Sequence, residues 1–426
     1  MRKTAIKGPR VHRLANGVTL ICDPAPGFET MALSVVAGRG ARWEDAARSG
    51  WSHLLEHMVF KGAGPRDARE IVEAIEAQGG QLNAATGHER TSFQVRALAA
   101  DLSLALEIVG DLVQRPLLDA EDLAREKRVV GQEIAEAADT PDDQVFELAQ
   151  GAAFPDQPLG RPILGETATI GSTDPGSLGA WRERIYAPDR LVISVAGAVD
   201  EDRFLADAER IFGWAVAPDM AEPAPGLFVG GMVSERRRLE QAHLVFLLPA
   251  PGSLDDDIWA LRVFVEILGG GMSSRLFQEA RERLGLAYAI DAYSDTYADV
   301  GVLGVYAGCA AQDAGRLAEV TAQQIRALAG GVHANELARA KAQLKAGLFM
   351  SRESLLARAE HAAGQWLTFG RLLAPAETAR AVDAVDEGDM ARLGARLLAR
   401  EAATVAALGP KPAMAAAAAF SSALFN

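Results

Sequence analysis

Residues 123–133, LAREKRVVGQE, return late in the chain as residues 337–347, LARAKAQLKAG. Each run carries apolar residues at three-and-four spacing, the signature of an amphipathic helix, and their likeness makes the whole chain read as a duplication. Working outward, the landmarks on either side repeat in the same order. MALSVVAGRGARWED (31–45) leads to SHLLEHMVF (52–60), as AHLVFLLPAPGSLDDD (242–257) leads to LRVFVEILG (261–269). TSFQVRALAADLSLALEIV (91–109) precedes the first helix, and GVLGVYAGCAAQDAGRLAEV (301–320) the second. Short branched runs bounded by Gly, Pro or Asp predict strands at Val18–Cys22, Met31–Val36, Arg90–Arg96 and Leu191–Ala196. Helical periodicity covers Asp67–Gln78, Leu102–Val113, Ala120–Ala138 and Asp200–Phe212. Strands and helices mixed in this order predict an α+β fold of two homologous domains, each a mainly antiparallel sheet packed with helices. The Pro- and Gly-rich run 218–231, PDMAEPAPGLFVGG, reads as the linker between domain 1–217 and domain 232–426.

The composition excludes several classes. The 426 residues are 49% hydrophobic and 23% charged, too apolar for disorder, and hold no continuous apolar run of membrane-spanning length. A formal net charge of −14 disfavours nucleic acid and anionic membrane and mildly favours a cationic partner, although solubility alone explains it equally well. Cys22 and Cys309, far apart, read as buried thiols in a reducing compartment. The N-terminal residues lack the apolar core of an export signal, so a cytoplasmic location is expected. Gly269-Gly270-Gly271 lacks the GK[ST] ending of a phosphate loop and reads as a loop or helix end.

The two copies differ where chemistry is concerned. Laying HLLEH on VFVEI sets His53 on Val263 and His57 on Ile267, while Glu56 meets Glu266. Laying the opening helix on its copy sets Glu126 on Ala340 and Glu133 on Gly347. Four polar residues thus occur in one copy of a scaffold that does without them in the other. His53 and His57 lie one turn apart on a single helical face, where both imidazoles reach one ion, and HxxEH is a zinc-protease pattern with its Glu placed as base. A catalytic zinc takes a third protein ligand, commonly a carboxylate. Glu126 and Glu133, two turns apart on a helix packing through Leu123, Val129, Val130 and Ile134, are candidates. From the residues alone a packed helix with a solvated acidic face stands beside the metal reading.

SHLLEHMVFKG (52–62), GGQLNAATGHERTSF (79–93) and LAREKRVVGQEI (123–134) together resemble the pitrilysin or insulinase family of zinc metallopeptidases, in its short branch similar to the mitochondrial processing peptidase. The resemblance spans essentially the whole chain. It implies one zinc ion per chain held by His53, His57 and Glu133, with Glu56 activating water and Glu126 supporting a ligand imidazole. It further implies that Asn83 and Ala84 pair with an extended substrate backbone. ARERLGLAY (280–288) resembles the family's Arg and Tyr pair, carried by Arg281 and Tyr288, which would stabilise the carbonyl oxygen or hold the substrate. By residue type alone, Arg281 reads as a surface charge and Tyr288 as a core aromatic.

The expected activity is that of a zinc-dependent endopeptidase acting on oligopeptides or unfolded segments inside a closed chamber. Because the family encloses its chamber with four such domains and this chain has two, a homodimer is expected, with Arg281 and Tyr288 of one chain completing the zinc site of the other. The competing expectation is a non-catalytic or partner-dependent subunit of a similar assembly. The tail from Met414 reads as a short docked helix or a frayed end.

Overall fold

A computed structural model describes residues 8–213 and 220–425. Residues 1–7 and 426, together with Pro218 and Asp219 of the expected linker and Ala217 at the edge of the first expected domain, lie outside them. Six strands form one sheet: β1 (Arg10–Arg13), β2 (Thr19–Pro24), β3 (Thr30–Ala37), β4 (Gln81–Thr86), β5 (Thr91–Leu98) and β6 (Leu191–Gly197). Their order is β1-β2-β6-β3-β5-β4, with β2 and β6 parallel and the other neighbours antiparallel. Five more form a second sheet: β7 (Gly231–Arg236), β8 (Gln241–Ala250), β9 (Ala287–Thr296), β10 (Gly301–Ala310) and β11 (Thr404–Gly409). They run in the order β9-β10-β8-β11-β7, again with one parallel pair, β7 and β11. Read from the opposite edge, the second order repeats the first from β2 onward. The duplication seen in the sequence is therefore a duplication of topology.

Each expected strand and helix forms within a few residues of its expected bounds. The Trp51–Val59, Leu102–Gln114 and Glu201–Phe212 helices cover one face of the first sheet, burying Leu54, Leu55, Met58, Leu106, Val109 and Phe204 against Leu20, Leu33, Val35 and Val95. The run LVISVAG of β6 is buried throughout, which requires cover on its other face too. That cover comes from the distant Leu355–Phe369 helix, whose Ala359, Ala362 and Ala363 lie against Ala32, Val36, Val192 and Ala196. Small side chains let helix and sheet backbones approach closely.

This arrangement corrects the contiguous division at 218–231. One compact unit takes in the chain up to Ala135 together with Pro162–Pro223 and Met350–Ala374; the other takes in Glu136–Arg161, Ala224–Phe349 and Pro375 onward. The Pro141–Ala153 helix belongs to the second unit, burying Val145 and Ala149 among Val245, Leu247, Ala406 and Leu408. Each half of the chain thus lends a helix to the sheet of the other, because each sheet has a second apolar face that its own half leaves uncovered. The described part of the linker has no helix or strand before Gly231, and its end is bound into the second unit. Phe228 is buried there, and the side-chain amide of Gln157 donates to the Leu227 carbonyl while accepting from the Leu227 N–H. Of the two readings for the tail, the docked helix forms, over Ala416–Phe425, with Phe420 and Leu424 buried.

The borrowed Leu355–Phe369 helix is also pinned by charge. Arg358 donates through Nε and one terminal nitrogen to the two oxygens of Asp23, at 2.8 and 2.7 Å, and both side chains are nearly excluded from solvent. Breaking a buried pair by removing one partner leaves an uncompensated charge, so Arg358→Ala should lower the unfolding free energy by about 3–5 kcal/mol. The double variant Asp23→Leu/Arg358→Met should recover most of that loss, as read from urea unfolding followed by circular dichroism.

Candidate active site

The Trp51–Val59 helix starts from a fixed point. Gly50, at φ 87°, makes a turn that a side chain would strain, and Glu44 receives the helix start: its two oxygens accept the N–H groups of Gly50 at 2.8 Å and Ser52 at 2.7 Å. A buried carboxylate there satisfies amides that a helix leaves unpaired and complements its dipole. The Ser52 hydroxyl accepts from the Trp181 indole N–H at 3.2 Å, which sets the rotation of the helix. With Leu54, Leu55 and Met58 turned into the core, His53, Glu56 and His57 share the remaining, half-buried face.

The Ala120–Asp139 helix buries Leu123 and Val130; Val129, expected with them, is exposed. Its Glu126 and Glu133 face the histidines. Glu133 Oε2 lies 3.4 Å from His57 Nε2 and 3.9 Å from His53 Nε2, and the imidazole centroids are 4.7 Å apart. Glu126, 6% exposed, accepts from His57 Nδ1 at 3.1 Å through one oxygen and from Lys61 Nζ at 2.9 Å through the other. A carboxylate oxygen accepts, so the Nδ1 side of His57 is the donor in this pair and Nε2 is the nitrogen that faces Glu133. Burial, aided by His57, pushes the His53 pKa down to about 4, which keeps that imidazole neutral.

Glu56 stands beside this group and accepts from the Thr86 hydroxyl at 2.6 Å. Burial raises its carboxyl above the usual range; the Thr86 hydrogen bonds and His57 pull the other way, and Glu133 adds to the rise. Nearby Tyr186 is buried, its hydroxyl has no hydrogen bond among the described residues, and burial followed by the Glu56 charge drives its pKa well up.

The residues fit a zinc ion. One atom each from His53, His57 and Glu133 lies within 4.8 Å of the others, and the facing Glu133 Oε2 is buried without a hydrogen-bond partner. Two imidazole nitrogens and a carboxylate oxygen are the donors of a catalytic zinc that keeps a position open.

The sequence model of the family described as Insulinase (Peptidase family M16) matches residues 21–167, the stretch that holds His53, Glu56, His57, Glu126 and Glu133. Peptidase M16 inactive domain matches residues 174–344. An uncharacterized zinc protease of Rickettsia bellii is 34% identical over 94% of this chain and 97% of its own. The chain belongs to peptidase family M16. Another M16 relative, an uncharacterized zinc protease of Bacillus subtilis, is 37% identical over 80% of this chain and 83% of its own. In structure, a protease from Helicobacter pylori has the same fold at a TM-score of 0.87 and 19% identity, covering 95% of this chain and all of that one. A chain of Complex III2 from Candida albicans shares it at 0.81 and 19%, covering 94% of this chain and 96% of that one.

The other expected residues are placed as follows. Asn83 and Ala84 lie on β4, the edge of the first sheet, with Asn83 exposed and Ala84 half-buried. Arg281 and Tyr288 belong to the second unit. Arg281 sits in a π-helical turn, Phe277–Arg283, with its guanidinium 4.8 Å from the Phe277 ring centroid. Tyr288 is the second residue of β9 and is 61% exposed, which corrects its reading as a core aromatic. Sequence reasoning missed the roles of Glu44, Lys61 and Thr86. Lys61 had a signal, since it follows His57 by one helical turn, whereas Glu44 and Thr86 act across tertiary contacts.

Because Glu126 fixes the His57 tautomer, Glu126→Gln should weaken zinc binding about 10- to 100-fold. Glu121→Gln, on an exposed turn of the same helix, should leave it unchanged. Competition with a chromophoric chelator measures both.

Proposed function

We propose that this M16 chain is a zinc-dependent endopeptidase that hydrolyses peptide bonds in oligopeptides or unfolded segments. The observation that carries the reading is the convergence of His53, His57 and Glu133 with Glu56 beside them. Zinc held there would supply Lewis acidity, polarising the peptide carbonyl and lowering the pKa of water. Glu56 takes the proton from the attacking water and passes it to the leaving amine, a task that suits a carboxyl whose affinity for protons is raised by burial. Glu126 holds the His57 proton at Nδ1 throughout, and Lys61 pairs with its other oxygen. The edge position of β4 leaves its outer side for an extended peptide, so main-chain pairing along Asn83 and Ala84 would bind substrates with little sequence preference. Folded domains, which have no free strand to offer, would be poor substrates.

We take the working unit to be a homodimer around a closed chamber, in which Arg281 and Tyr288 of one copy serve the metal group of the other. The support is that one chain carries both the metal group and the Arg and Tyr pair, on different units. Free, buried Cys22 and Cys309, whose thiols burial pushes up to about 12, agree with a reducing cytoplasm. Among the described residues no helix is long and apolar enough to cross a membrane.

Zinc analysis and cleavage of a quenched fluorescent peptide, for wild type and Glu56→Gln, test the activity. Near-stoichiometric zinc in both, with cleavage in wild type alone, is the expected result; zinc without wild-type cleavage would favour a partner-dependent or non-catalytic subunit. Mixing Arg281→Ala with Glu56→Gln protein should restore cleavage through heterodimers. Absence of rescue after demonstrated subunit exchange would remove the shared site.

A further inference from the structure

The Thr86 hydroxyl that holds Glu56 comes from the same edge strand that the proposed function assigns to the substrate. Along β4 the side chains alternate: Gln81, Asn83 and Ala85 are exposed, while Leu82, Ala84 and Thr86 turn inward. Thr86 is the last inward residue, and it reaches the helix that carries Glu56. Its hydroxyl is the hydrogen-bond donor to Glu56, at 2.6 Å.

Both ends of this contact are tied to one short segment. Beyond Thr86 the chain turns, Gly87 N–H donating to the Arg90 carbonyl at 2.7 Å. The Gly87 and His88 carbonyls accept from the N–H groups of Ala41 and Arg42, at 3.0 and 2.8 Å. A Cβ on Gly40 would stand 2.2 Å from the Gly87 carbonyl oxygen, so glycine is required for this approach. The Arg42 guanidinium pairs with Glu89 at 2.7 Å. Two residues beyond Arg42, Glu44 holds the start of the Trp51–Val59 helix. Strand, turn, segment 40–44, helix and Glu56 thus form a closed circuit that returns to Thr86, entirely within the first unit.

We infer that Thr86 is the positioning residue for Glu56, fixing the carboxylate through a frame shared with the substrate strand. The inference rests on the proposed peptidase activity. A peptide adding to β4 pairs with the strand that holds the base, so base and scissile bond take their positions from one element. A carboxylate free to turn about its side-chain torsions would lose that registration, and misplacement of a proton acceptor costs rate without costing affinity.

The test compares wild type, Thr86→Val, Thr86→Ser and Thr86→Ala on one quenched peptide, with zinc content and melting temperature measured on each. Binding of the same peptide to Glu56→Gln and Glu56→Gln/Thr86→Val gives an affinity free of turnover. Thr86→Val removes the hydroxyl at nearly constant volume and should lower kcat about 10- to 100-fold, the effect of losing a hydrogen bond to a charged group, with KM, zinc content and peptide affinity unchanged. Thr86→Ser should restore most of kcat. If Thr86→Val fails to fold, Thr86→Ala carries the same comparison. An unchanged kcat in the Val variant, a loss confined to KM, a loss accompanied by lower zinc content, or a Ser variant as impaired as Val each overturns the role of Thr86 while leaving the peptidase reading intact. A wild type that cleaves no unstructured peptide overturns both.

Discussion

The site depends on a carboxylate placed where carboxylates are costly. Glu126 is almost wholly buried, and an isolated charge there would be expelled or protonated. It is tolerated because Lys61 and the Nδ1–H of His57 each satisfy one oxygen. That balance fixes the His57 tautomer, which turns Nε2 toward Glu133 and gives the group its metal-binding form. His57 lies in the last turn of one helix and Lys61 just beyond its end, and Glu126 and Glu133 come from another helix. The charge arrangement and the helix pairing therefore require one another.

Around that pair the fold does conservative work. Two sheets with the same strand order arise from a duplicated sequence, yet the metal group occurs in one copy alone among the described residues. In the second copy the positions of His53 and His57 are Val263 and Ile267, both buried in an apolar core. The scaffold is thus stable without ligands, and the polar residues of the first copy add chemistry at some expense in burial. Architecture does not decide activity; the residues on it do.

The exchange of helices between the two units explains why the boundaries differ from the simplest reading. A sheet buried on both faces needs two apolar layers, and each half of the chain supplies only one for its own sheet. The alanine-rich surface of the Leu355–Phe369 helix has no periodic mark that tells which sheet it will cover. Its Arg358 does have a unique destination, Asp23, but an ion pair between residues so far apart in the chain leaves no local trace.

The sequence by itself determined the duplication, the mixed α+β class, four strands of the first sheet and the helices at Ala68–Glu76, Leu102–Gln114, Ala120–Asp139 and Glu201–Phe212, and the candidates His53, Glu56, His57, Glu126 and Glu133, among which only the family resemblance singled out Glu133 as a ligand. Those features are written in local periodicity, in motif spacing and in the contrast between two copies of one pattern, all of which survive in a linear string. Tertiary structure alone decided that Glu44 holds the helix start, that Thr86 holds Glu56, that Tyr288 is exposed, and that helices change partners between the halves. Each of these is a contact between segments distant in sequence, set by which surfaces remain uncovered once the local elements have formed, and periodicity carries no information about that.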